Sequence, residues 1–278
     1  MTDDLLHVYL IHWGRPQWCC QAVQSLQASA GVRLAITVVD NGSPDGSRVA
    51  ETLPDSVRVL TMPSNRGYTG AANQALEDCA GASFCVIASH DLHVRPETLR
   101  RLLDVAVADP TIGIAAPALT SPFGSSGGRW TGRRAHQLPL DGARGVVERD
   151  WASGSCLLIR QDCAHDIGGF DESFGSYVED VDFCLRARDD GWRVVVVTDA
   201  QAWGLGTSEP DRANALMIAN AYRLTRKRLG TLRALPLAAA SVLQISRSLL
   251  ACLLPRPNVL RRNSWSAAQA NFRARTLM

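Results

Sequence analysis

The sequence predicts an α/β protein: a mostly parallel, Rossmann-like sheet with helices on both faces, followed by a helical C-terminal extension. Three observations carry that prediction. Short runs of branched apolar residues recur through the first 120 residues, separated by segments of helical periodicity. Each run ends in polar residues and turn formers rather than fading gradually. The composition, 46% apolar and 20% charged over 278 residues, is that of a folded chain able to bury a sizeable core.

The elements follow in order. "LHVYLIH" (6–12) reads as a strand, and "RPQWCCQAVQSLQAS" as a helix with Pro16 near its start. "RLAITVVD" (33–40) is a second strand, closed by the turn formers "NGSPDGS". "VRVLTM" (57–62) is a third, after which Asn65-Arg66-Gly67 leads into the helical "GAANQALEDCA". "SFCVIAS" (83–89) is a fourth, and Pro96 opens a helix running to about Ala108. Strands alternating with helices in this way form a parallel sheet covered on both sides.

Ligands of such sheets bind outside the carboxyl ends of the strands. His12, Asp40, the Asn65 turn and Asp91 all lie at such ends and are expected to converge on one crevice. Asp40 is placed to accept from a ribose or a base edge, and the glycines at 41–47 and 67–70 admit a ligand close to the backbone. No GxGxxG follows the first strand and no Walker-type GxxxxGK[ST] occurs, which argues against dinucleotide and P-loop sites. A nucleotide diphosphate neutralised by a hard divalent ion on the Asp91 carboxylate fits the residue types better.

"VVDNGSPDGS", "NRGYTGAANQAL" and the strand-end "SHD" resemble the family-2 glycosyltransferases of GT-A fold. Residues 151–200 strengthen the likeness through "GSCLLIR", "GGFDE", "EDVDFCLR" and "GWRV", and the nearest flavour is the bacterial rhamnosyltransferase-like branch. The resemblance spans roughly residues 6 to 230 and implies an inverting transfer of a sugar from a nucleoside diphosphate (dTDP, UDP or GDP) to an acceptor hydroxyl. The acceptor would be a lipid-linked or polysaccharide glycan, or a small natural product. Residue by residue, it implies that Asp40 contacts the base or ribose, with His12 near the base. Asn65, Arg66 and Gly67 would line the nucleotide pocket. Asp91, matching the last aspartate of a DxD motif, would hold Mg2+ or Mn2+, and Asp180 would be the general base beside Glu179. Trp151, Gly154 and Glu179 would edge the acceptor cleft. The domain organisation implied is a nucleotide-sugar half (1–120), an acceptor half (121–208) and a basic helical extension (209–278).

The sequence departs from the family pattern in places. Ser89-His90-Asp91 lacks a first acidic ligand, and Trp203-Gly204 stands where a metal-binding histidine is expected. His90 or His93 could compensate, or each could be a hydrogen-bonded histidine at a strand end. A non-catalytic or metal-independent binder of sugar nucleotides is therefore the alternative reading.

Residues 119–150 have little periodicity and are expected to form a mobile loop over the acceptor cleft or a plain surface insertion. Beyond Arg212 there is no acid, and eleven Arg and Lys give the tail +11 against −9 for the body. That asymmetry suits either an anionic membrane surface or a tail neutralising its own body. "LPLAAASVLQISRSLLACLL" (235–254) has a polar stripe at helical spacing, so it reads as an interfacial or packed helix, or as a homodimer contact, rather than a span. No nucleic-acid-binding module appears. Eight cysteines without a CxxC pair, several inside apolar runs, read as reduced core residues of a cytoplasmic protein, peripheral to the membrane if the tail binds it.

Overall fold

The computed structural model describes residues 5–45, 48–120, 126–132, 134–204 and 210–235. The alternation read from the sequence appears as β1 (Leu5–His12), α1 (Pro16–Gln27), β2 (Arg33–Asp40), α2 (Val49–Thr52), β3 (Arg58–Thr61), α3 (Gly67–Asp78) and β4 (Phe84–Ser89). These are followed by β5 (Leu92–Val94), α4 (Thr98–Ala108) and β6 (Ile112–Leu119). Strands β3, β2, β1 and β4 pair in parallel in that order, so their carboxyl ends share one edge.

Side chains of β1 alternate between the two faces, as a pleated strand requires. Leu6, Val8 and Leu10 pack with Cys19, Val23 and Leu26 of α1 and Leu99 and Leu102 of α4. Tyr9 and Ile11 face the opposite layer, against Ala71, Ala72 and Ala75 of α3. Each fully buried Leu or Val stabilises the fold by about 1.5–3 kcal/mol. Both faces are thus sealed, and the free edge at the strand ends is where a ligand finds backbone.

The second half completes the same sheet. After β7 (Gly127–Trp130), β8 (Ala135–Gln137), β9 (Val146–Glu148) and β10 (Trp151–Ala152) comes β11 (Cys156–Arg160), which inserts antiparallel between β4 and β6. α5 (Gln161–Asp166) and α6 (Glu179–Asp189) precede β12 (Arg193–Gly204), which runs parallel to β6 and antiparallel to β5 and β9.

His93 lies in strand β5, paired opposite Trp203. One expectation is corrected here. The stretch 119–150 is not one irregular loop among its described residues: β7 lies between β8 and β10 in a three-stranded sheet, and β9 joins β12. β7 and β8 form a short hairpin, but β10 and β12 lie farther along the chain, and the Gly127-Gly128 start of β7 carries no side chains to reveal a strand pattern. Residues 121–125 and 133 lie outside the described set.

The chain ends its described part in α7 (Pro210–Leu229), which packs back on the body. Lys227 pairs with Asp171 (2.7 Å) and with the buried Asp182 (2.8 Å), and Arg228 pairs with Asp189 (2.6 Å). Two of the tail cations therefore neutralise acids of the body. The expected helix at 235–254 lies, beyond Leu235, outside the described residues. Among the described residues no helix is long and apolar enough to cross a membrane.

Candidate active site

At the ends of β1 and β2, His12 and Asp40 sit side by side in register, both fully buried. Asp40 Oδ1 accepts from the Ser43 N–H (3.1 Å) and hydroxyl (2.5 Å), which closes the turn after β2. Asn41 then ties this turn to the one after β3. Its Nδ2 donates to Asn65 Oδ1 (3.2 Å) and to the Gly67 carbonyl (2.9 Å), and its Oδ1 accepts from the Arg66 N–H (3.0 Å). Gly67 is left-handed (φ 75°), and an added Cβ would lie 2.7 Å from the Gly175 carbonyl oxygen, so only glycine fits there. The Arg66 guanidinium is forked onto Glu172 (2.8 and 2.9 Å), so its charge is committed to that bridge. Beside these turns Trp13, Gly14, Arg15, Trp18 and Pro44 line a cleft of about 490 Å3.

Both ring nitrogens of His12 lack a hydrogen-bond partner, and the ring meets His90 edge-on at 5.3 Å. Burial, then the neighbouring His90, pushes the His12 pKa down to about 4, so it is neutral. His90 Nδ1 lies 3.1 Å from the Ile11 carbonyl, which can only accept, so this nitrogen carries the proton. His93 stacks on Trp203 (5.5 Å, 11°) and is also held below the usual histidine range by burial. These contacts give the histidines packing roles that the sequence left open.

Asp91 follows β4 and is 7% exposed. Its Oδ1 accepts from the Ser89 hydroxyl at 2.6 Å, and a Cβ on Gly204 would stand 3.5 Å from its Oδ2. Among the described residues no group of three His, Cys, Asp or Glu converges as a cation cage. The donor set nevertheless suits a hard ion, since magnesium commonly takes one or two carboxylates and completes its shell with substrate phosphates and water.

Asp180 belongs to the first turn of α6, where it and Glu179 and Asp182 complement the helix dipole. Its Oδ2 accepts from the Gly154 N–H (2.8 Å) and its Oδ1 from the Val181 N–H (2.8 Å). The chain approaches closely at Gly154, where a Cβ would lie 3.2 Å from that of Asp180. Burial raises the Asp180 pKa, and the Gly154 and Val181 N–H groups pull the other way without cancelling it. Glu179 is raised further, by burial and then by Asp180, and its Oε2 has no partner.

Tyr68 joins the two sides of the site. Its hydroxyl donates to the Gly154 carbonyl at 2.7 Å, and its pKa is driven up by burial and by the charges of Glu179, Asp180 and Asp91. The Ser89 N–H donates to the Ser155 carbonyl (3.1 Å), so the Asp91 strand end is also stitched to the Gly154 turn. His12, Asp40, Asn65, Gly67, Asp91, Gly154, Glu179 and Asp180 thus belong to one connected region. Trp151 is 5% exposed and packs in the core cluster.

Residues 8–223 match the family described as "Glycosyltransferase like family 2". The chain belongs to the family-2 glycosyltransferases. This family-2 glycosyltransferase is 28% identical over 232 residues to an N-acetylglucosaminyl-diphospho-decaprenol L-rhamnosyltransferase of Mycobacterium tuberculosis, covering 71% of this chain and 75% of the relative. It is also 28% identical to the low-salt glycan biosynthesis hexosyltransferase Agl10 of Haloferax volcanii, covering 54% of this chain and 52% of that one. Its GT-A fold is shared with the mannosyltransferase PcManGT of Pyrobaculum calidifontis, solved with GDP-Man and Mn2+ (TM-score 0.59, 20% identity, 97% of this chain and 85% of that one). S. aureus TarS is similar at TM-score 0.56 and 16% identity, where the glycosyltransferase covers 80% of its own length and 64% of the solved chain. GalNAc-T7, solved with UDP, GalNAc and Mn2+, shares the fold at TM-score 0.57 and 12% identity, with 72% of this chain covering 43% of that one. The protein is an enzyme that transfers a sugar from a nucleotide-activated donor to an acceptor hydroxyl.

Sequence reasoning passed over Asn41 and Tyr68. Tyr68 stood in plain view beside Arg66-Gly67, and its place in the first turn of α3 was the available signal.

Proposed function

We propose that this glycosyltransferase moves a hexose or deoxyhexose, with inversion, from a nucleoside-diphosphate sugar to a hydroxyl of a lipid-linked glycan, using Asp180 as general base. The similarity to an enzyme named for rhamnosyl transfer to a diphospho-decaprenol acceptor supports the lipid-linked class. The observation that carries the reading is that one turn serves both sites: the Gly154 N–H donates to Asp180, and the adjacent Ser155 carbonyl accepts from the Ser89 N–H at the Asp91 strand end.

In this reading the nucleoside occupies the cleft beside Trp13 and Pro44, with Asp40 and neutral His12 below it and the Asn65–Gly67 turn along the pocket. Asp91 would hold a divalent cation, which when bound would supply neutralisation of the charge on the departing diphosphate. Asp180, held by two backbone N–H groups and half-buried, takes the acceptor proton as the acceptor oxygen attacks the anomeric carbon from the face opposite the leaving phosphate. Burial keeps that carboxylate more basic than an exposed aspartate, which suits proton abstraction near neutral pH. Residues 1–120 serve the donor, 121–208 the acceptor, and 209–278 form the extension. The protein works at the cytoplasmic face of a membrane, which the basic tail (+11) would approach.

Thermal-shift screening with UDP-, dTDP- and GDP-sugars tests the donor side, because selective binding raises the melting temperature. Release of nucleoside diphosphate with a polyprenyl-diphosphate-linked glycan tests the acceptor side. No stabilisation by any of the three donors and no release would overturn the proposal.

A further inference from the structure

We propose that Asn220 of α7 is a positioning residue for the acceptor side of the reaction: its amide clamps the left-handed turn that aims Glu179 and Asp180 into the site. The inference rests on Asp180 being the base.

Tyr177 and Val178, immediately before α6, both have φ of 70°. Left-handed backbone at a β-branched residue is strained, and it persists only where the surroundings over-determine it. One side chain of α7 grips it at three points. Asn220 Nδ2 donates to the carbonyls of Phe174 (2.7 Å), Ser176 (2.9 Å) and Tyr177 (2.9 Å). The amide has two protons for three acceptors, so one is shared. Asn220 Oδ1 accepts from Arg223 (3.3 Å), which fixes the amide the right way round, and the residue is 2% exposed.

The opposite edge of the turn is held by α3. Gly175 O accepts from the Thr69 N–H (2.9 Å), and Ser176 Oγ accepts from the Tyr68 N–H (3.1 Å). Tyr68 is the residue whose hydroxyl holds Gly154, the donor to Asp180. The Val178 carbonyl then accepts from the Asp182 N–H (3.1 Å) and opens α6. The direction in which α6 leaves, and with it the aim of Asp180, is therefore set by a turn whose strained conformation is tied to α7. On this view the extension is part of the catalytic machinery and not an appendage.

The test compares the full chain with Asn220→Ala, and with Asn220→Ala combined with Val178→Gly, reading kcat, donor KM, nucleotide-induced thermal shift and the pH profile. Asn220→Ala is expected to lower kcat about a hundred-fold, the scale of a misplaced reacting group, while donor KM and nucleotide shift stay unchanged. The acidic limb of the pH profile should move to lower pH, because a released turn hydrates Asp180, which otherwise lies against Glu179, Tyr68 and Cys184. Glycine at 178 takes the left-handed conformation freely, so the double variant should regain activity. Near-wild-type kcat in Asn220→Ala overturns the clamp, and so does a loss with an unmoved acidic limb and no recovery in the double variant. If Asn220→Ala does not fold, the double variant carries the test, and a hundred-fold loss of kcat in a folded double variant overturns the inference. An active wild type with an indifferent Asn220 overturns the clamp alone; an inactive wild type overturns the function and this role together.

Discussion

Asp180→Asn removes the proposed proton acceptor while keeping shape. In the native site both carboxylate oxygens accept a backbone N–H, from Gly154 and Val181, each at 2.8 Å. An amide has one acceptor oxygen, so one of those N–H groups is left facing an NH2 group. The unpaired donor costs about 1–3 kcal/mol of stability. The loss of charge works in the other direction, because burial already penalises the ionised form. The variant should therefore fold with a modest change in melting temperature. Catalysis should suffer far more: loss of a positioned general base costs about 10²–10⁴ in rate, or about 3–5 kcal/mol of transition-state stabilisation. The assay is single-turnover release of nucleoside diphosphate, with nucleotide-induced thermal shift as the control for donor binding. A kcat within tenfold of wild type, with donor binding intact, would refute the assignment of Asp180 as base.

Three further outcomes are expected. Glu179 has a folded pKa raised above its unfolded value, so its stabilising contribution is full below the ordinary carboxylate range and is lost as pH rises through the folded pKa. Glu179→Gln should accordingly raise the melting temperature more at pH 8 than at pH 5; an equal shift at both would contradict this. Tyr68→Phe removes the hydroxyl on Gly154 and should lower kcat about tenfold while leaving nucleotide affinity unaltered, as titration calorimetry would read, because one lost hydrogen bond is worth about 1 kcal/mol or slightly more. Chelation should abolish transfer, with recovery on adding manganese or magnesium, and Asp91→Asn should weaken the manganese dependence of activity; undiminished turnover in excess chelator would show that the diphosphate is neutralised by protein cations instead.

Much of the first 120 residues was legible because parallel strands write their pattern locally. β1, β2 and β4 each lie within a residue of the apolar runs that announced them, and the polar residue closing each run marked the sheet edge. β5 and β8 escaped because three residues carry too little periodicity, and β7 because it opens on two glycines and one of its partners, β10, lies some twenty residues on. The aromatic at 151 gave an ambiguous signal, since a buried tryptophan and a sugar-stacking one read alike in sequence; packing placed it in the core.

By itself the sequence determined the layered α/β architecture, the family, and which carboxylates stand at strand ends, because side-chain periodicity and turn chemistry act over a few residues. Only the tertiary structure decided that the Gly154-Ser155 turn connects Asp180 to the Asp91 edge, that Tyr68 holds that turn, that Arg66 is engaged by Glu172, and that Asn220 grips the turn before α6. These are hydrogen bonds between residues 26 to 106 positions apart. No local pattern encodes such partners; they exist because packing two layers on one sheet brings distant backbone groups together, where burial makes an unmet hydrogen bond costly.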